Sequence, residues 1–100
     1  MGMAWYTEAQ WPQLRAISAD GPRLEETYAE WVSLAERRFE ELKKQGIRVE
    51  KVPVDLKDMF AWCRELGRPV DAQGRAGYVT FLLQQRKRQW VQSTLSAKSR

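Results

Sequence analysis

The clearest pattern along the chain lies in "PRLEETYAEWVSLAERRFEELKKQG", where Leu24, Tyr28, Trp31, Val32, Ala35, Phe39 and Leu42 recur at threes and fours. That period puts them on one face of a helix. Glu36, Arg37, Glu40, Glu41 and Lys44 fall on the other face. Pro22 suits a first helical turn and Gly46 the residue just past the last. Glu25 and Glu26 near the start and Lys43 and Lys44 near the end match the helix dipole. The pattern predicts a helix over 22–45.

The period then shortens. In "IRVEKVPVD", Ile47 and Val49 alternate with Arg48 and Glu50, which predicts a short extended segment near 47–54. Pro53 lacks a donor, so such a strand is an edge or ends there. No second strand is evident. The segment is expected to be a connector, or to pair with its own copy in a dimer.

Helical spacing resumes in "DLKDMFAWCRELG", with Asp55 and Asp58 at a capped start and Gly67 as the stop. Leu56, Met59, Phe60, Cys63 and Leu66 form its inner face. Asp71 caps a last helix through "AQGRAGYVTFLLQQRKRQW", striped by Ala76, Val79, Leu82 or Leu83, and Trp90. Gly74 and Gly77 weaken its first turns by about 1 kcal/mol each, or else permit close helix packing. A first short helix starts near Trp11, with Pro12 in its first turn and Thr7 a candidate cap. "ADGP" breaks the chain after it.

These elements predict a mainly α fold: a single helical domain over 1–92, four helices and one short extended segment, followed by a flexible basic tail over 93–100. Trp31, Phe39, Phe60 and Leu83 are expected in the core. With 100 residues, 43% of them apolar, the chain has material for one. No apolar run is long enough to span a bilayer, and "MGMAWYTEAQW" lacks the features of a secretory signal. Met3 offers an alternative start, with Met1-Gly2 then an expression remnant. A cytoplasmic setting is the expectation.

The chemistry-bearing residues are few. There is no histidine and one cysteine, Cys63. That removes the commonest general base and metal ligand. Cys63 lies on the packed face of its helix and reads as a buried, inert thiol. Asp55 and Asp58 have the spacing of a helix cap. No phosphate-cradling or metal-binding spacing is present. No enzymatic activity, cofactor or small-molecule substrate is expected.

Charge is unevenly placed. Residues 1–71 hold 11 basic and all 13 acidic side chains, whereas residues 72–100 hold six basic ones and no acid. "FAWCRELGRPVDAQGRAGYVTFLLQQRKR" has helix-turn-helix proportions. Gln73 and Arg75 near the start of its second helix are types that read base edges, and Arg86, Lys87 and Arg88 are candidate phosphate or anion contacts. Pro69 and Asp71 make the turn stiffer and longer than such motifs prefer. Of five tryptophans, Trp5 and Trp90 lie in terminal segments and are candidate anchors for a protein interface. The expectation is a small intracellular binding or regulatory protein whose partner is another protein or a second copy of itself. DNA binding through the acid-free C-terminal third is the alternative.

Overall fold

In a computed structural model the chain is mainly helical, with four α-helices and one small parallel sheet among the described residues. The structure describes the backbone of residues 1–98 and the side chains of residues 1–88. The elements run β1 (Gly2–Trp5), α1 (Trp11–Ile17), a 3-10 turn (Gly21–Arg23), α2 (Tyr28–Lys44), β2 (Glu50–Pro53), α3 (Leu56–Glu65) and α4 (Ala72–Lys98). Side chains from Gln89 onward, that of Trp90 among them, lie outside the described residues, and the backbone of 93–98, expected in a flexible tail, continues α4. No helix among the described residues is long and apolar enough to cross a membrane.

Local chemistry sets most boundaries. Asp55 accepts a hydrogen bond from the Asp58 amide at 3.0 Å, and Asp71 one from the Gly74 amide at 2.8 Å. Each satisfies one of the orphan donors of a first turn. Gly46 and Gly67 have φ of 80° and 65°, a region open to glycine without a Cβ penalty. Beyond them the Ile47 and Arg68 amides donate back to the carbonyls of Leu42 and Cys63. These are the crossed bonds that close a helix C-terminus. At residues 7–10, Thr7 and Gln10 bond each other's backbone amides reciprocally, one turn before α1.

Helix α2 starts later than the expected residue 22. Thr27 accepts from the Glu30 amide at 3.1 Å and donates its hydroxyl hydrogen to the Glu30 carboxylate. This side-chain cap fixes the start at Tyr28. Pro22 sits instead in the 3-10 turn.

Strand β2 is neither a lone connector nor left to pair with another copy. It pairs in parallel with β1, Gly2 opposite Glu50 and Trp5 opposite Pro53. The crossover through α1 and α2 is what a parallel pair requires. Gly2 is a packing residue of this sheet. A Cβ there would lie 2.8 Å from Val79 Cγ1 and 3.0 Å from Val52 Cγ2.

The core gathers Trp11 and Leu14 of α1, Val52 of β2, Leu56, Met59 and Cys63 of α3, and Tyr78 and Val79 of α4. Among the four residues expected in the core, Trp31, Phe39 and Leu83 are half-buried. Phe60 is 42% exposed while its neighbour Met59 is fully buried, because a helix turns adjacent residues to different sides. Leu66, expected on the same inner face, is the cap residue of α3 and is exposed. Trp31 stacks on Trp11 with ring centroids 5.1 Å apart and also meets Trp5, Tyr6 and Tyr28. Through this ring cluster α2 is held to β1 and α1. A second cluster, Trp62, Tyr78 and Phe81, joins α3 to α4.

Candidate functional site

Successive residues of a strand face opposite sides, so β1 presents two different rows. Gly2 points at Val79 and Leu83, which places α4 on that face. Trp5 points the other way, against Trp31 and Phe39 of α2, with ring centroids at 5.2 and 6.4 Å. Lys51, on the same face of β2, lies 4.3 Å over the Trp5 ring and bonds Glu36 of α2 at 2.7 Å. Two helices therefore sandwich a sheet that is only two strands wide.

On one side β2 completes the pairing. On the other, no strand among the described residues pairs with the edge of β1, and the two helices wall a slot over it of about 460 Å³. Trp31, Leu34, Ala35 and Arg38 of α2 form one wall. Ala72, Arg75, Ala76 and Val79 of α4 form the other, and Gly2, Met3, Ala4 and Tyr6 lie along the floor. The Glu50 amide donates to the Met1 carbonyl at 3.0 Å, which sets the phase of the ladder. Met3 and Trp5 direct their backbone groups to β2, and Gly2 and Ala4 direct theirs to the slot. The Tyr6 carbonyl accepts from the Tyr28 hydroxyl at 2.9 Å, which closes one end of this row. No hydrogen bond from Gly2 or Ala4 crosses the slot among the described residues.

Polar groups in the slot are few. Tyr6 is 4% exposed, and its hydroxyl has no hydrogen-bond partner among the described residues. An orphaned buried hydroxyl is costly. Burial pushes this phenol up to about 12, with nearby Arg75 working in the opposite direction. Arg75 binds Asp20 through both arms of its guanidinium, at 2.8 and 2.9 Å, and reaches Ser18 Oγ at 3.2 Å. Those hydrogen bonds hold the Asp20 carboxyl below its ordinary range. Arg38 has no ion-pair partner among the described residues.

The residues singled out in the sequence do not converge. Arg75, expected at a base edge, has its fork closed on Asp20. Gln73 is exposed on the first turn of α4, and Lys87 and Arg88 are exposed further along it. Arg86 bonds Glu50 of β2 at 3.0 Å, a surface pair of small energetic weight. Trp5 does not protrude as an anchor but lies half-buried under Lys51. Trp90 lies outside the residues whose side chains are described. Cys63 is fully buried, and burial pushes its thiol pKa up. No metal-binding group of His, Cys, Asp or Glu occurs among the described residues.

Sequence reasoning missed Tyr6, Leu34 and Arg38, none of which carries a local signal, and placed Ala76 on the apolar stripe of the last helix, whereas it lines the slot. A larger open depression of about 570 Å³ lies where α2 leads into β2. It is lined by the turn itself and holds neither a buried unpartnered group nor the free row of β1, so the slot is the stronger candidate.

No protein-family model, curated protein or solved structure matches the chain.

Proposed function

We propose that this chain is a non-enzymatic binding domain that holds a protein partner in the slot between α2 and α4. The observation that carries the reading is the unpaired edge of β1 on the slot floor, flanked by apolar walls. An exposed strand edge is a template for pairing, and folded chains commonly guard it. The outer edge of β2 has such a guard: Pro53 removes an amide at an outward position, and Lys51 charges the strand. The outward positions of β1 carry only Gly2 and Ala4. Leu34, 47% exposed on the wall, adds apolar surface of the kind a partner covers. Nucleic-acid binding through α4 has less support, because Arg75 and Arg86 are already engaged by Asp20 and Glu50.

A photo-crosslinking side chain placed at Leu34 in the slot, and in a separate variant at Lys87 on α4, tests this. In host extract the Leu34 probe is expected to capture a protein, and Ala76→Trp, which fills the slot, is expected to abolish capture. Crosslinks from the Lys87 probe alone, lost on nuclease treatment, would reverse the order of the two readings.

A further inference from the structure

The same slot specifies the form of its occupant, and we infer that this is an extended peptide segment of the partner, added to β1 as a third strand, with an acidic side chain directed to Arg38. The inference rests on the slot being the binding site and goes further by naming the class of ligand. Its first support is the backbone row. Gly2 and Ala4 each offer an amide and a carbonyl to the slot. A helix has its own backbone groups already bonded along its axis and could not satisfy this row. A strand does so at every second residue.

Shape narrows the choice further. The free edge is sunk between two helices, so a second copy, whose own edge is sunk in the same way, would bring helix against helix before the strands met. A bare terminal or loop segment does not meet that obstacle. Its side chains would alternate between the two walls. Those turned to α4 meet Ala72, Ala76 and Val79, which leave room for branched apolar groups, and those turned to α2 meet Leu34 and Ala35.

One polar group completes the match. Arg38 stands on the α2 wall without an acid of its own among the described residues. Arg75 on the opposite wall is neutralised by Asp20. Glu25 also lines the slot, so an acidic residue of the ligand belongs at the Arg38 side.

The test is selection of short random peptides on phage against the full chain, followed by backbone N-methylation of the selected peptide one amide at a time. Strand addition predicts that methylation at alternate amides weakens binding by about tenfold each, while the intervening amides tolerate it. Ala4→Pro should weaken binding similarly. The Ala4 amide faces the slot and not β2, so the sheet should survive, and an unchanged far-ultraviolet circular dichroism spectrum checks that it has. Arg38→Glu should remove the preference for acidic peptides. In hydrogen exchange the Gly2 and Ala4 amides should become protected when peptide binds. Equal tolerance of N-methylation at every position, or selection of helical peptides blocked by Ala76→Trp, overturns strand addition while leaving the slot as the site. A concentration-dependent dimer abolished by Ala4→Pro assigns the edge to a second copy and also overturns the inference. Selection of no peptide sensitive to Ala76→Trp overturns it as well, and if the Leu34 crosslinks are absent too, the slot itself is not the site.

Discussion

Two glycines in the first turns of α4 separate packing from helix propensity. By propensity alone, replacing either Gly74 or Gly77 with alanine in a helix adds about 1 kcal/mol of stability. Their surroundings differ. A Cβ on Gly74 would lie 2.5 Å from the Pro69 carbonyl oxygen and 3.4 Å from Cys63 Sγ. That oxygen would have to retreat by roughly 0.9 Å to reach ordinary contact. It belongs to the backbone just before Val70, whose side chain is buried and whose carbonyl accepts from the Ala19 amide at 2.7 Å. Overpacking against such a restrained group costs about 1–3 kcal/mol, so Gly74→Ala should lose about 1 kcal/mol net. At Gly77 the nearest atoms are an Arg68 guanidinium nitrogen at 3.1 Å and the Trp62 ring edge at 3.3 Å. The arginine head can swing away, so Gly77→Ala should keep about 0.5–1 kcal/mol of its gain. Urea and thermal unfolding of the two variants, followed by tryptophan fluorescence, give the difference directly. The loss of glycine freedom in the unfolded chain is common to both and cancels. A gap of about 2 kcal/mol corresponds to roughly 8–16 °C in Tm for a domain of this size. If Gly74→Ala proves as stable as Gly77→Ala, the close approach of α4 to the α3–α4 connection is not a constraint and the reasoning fails.

Met59→Ala should cost about 2–5 kcal/mol through a core cavity, while Phe60→Ala, at an exposed neighbouring position, should stay near 1 kcal/mol or below; equal losses in urea unfolding would contradict the burial of this helix. Cys63 should react slowly with a thiol reagent in the folded chain and rapidly in denaturant, since it is buried and its pKa is raised; fast labelling of the folded chain would contradict its packing. Tyr6, held protonated to about 12 when folded, contributes stability that is complete below the unfolded phenol value of about 10 and is lost as pH rises towards 12. Tyr6→Phe should remove that alkaline loss and, by deleting an orphaned hydroxyl, raise stability at neutral pH by about 1 kcal/mol. Asp20 is held low by Arg75, so its contribution is complete above the unfolded value of about 3.9 and disappears as pH falls through the lower folded value; Asp20→Asn should flatten the acid limb of a stability–pH curve, and an unchanged limb would show that the pair does not act in that range.

The features legible in the sequence are those whose cause is local. Asp55 and Asp71 start helices and Gly46 and Gly67 mark where helices stop, through bonds that span three to five residues, and each lies where its spacing indicates. Acids after Pro22 suggested a helix start, but the reciprocal pair Thr27 and Glu30, three residues apart, determines it. What failed to show depends on partners distant in sequence. A parallel strand pair has no turn to announce it, and "GMAW" has no alternation, because its glycine is there to let α4 approach. Arg75 looked available because Asp20, its partner, is 55 residues away. Met59 and Phe60 are both apolar, and only the packing decides which one goes inside. The slot was invisible for the same reason: its walls come from α2 and α4 and its floor from β1, and no one segment carries its pattern.

The pairing of Gly2 with Glu50 also bears on the order of folding. Helices α3 and α4 are neighbours along the chain and can meet through a short loop, whereas β1 must wait for a partner almost half the polypeptide away. Closing so long a loop costs entropy before any strand bond forms, and contacts of this separation slow folding. On these grounds β1 comes late in the order of docking, and an opening of β1 with the helices intact would be a unit of local unfolding. Since β1 forms the floor of the slot, such an opening would dismantle the slot while α3 and α4 remain packed on each other.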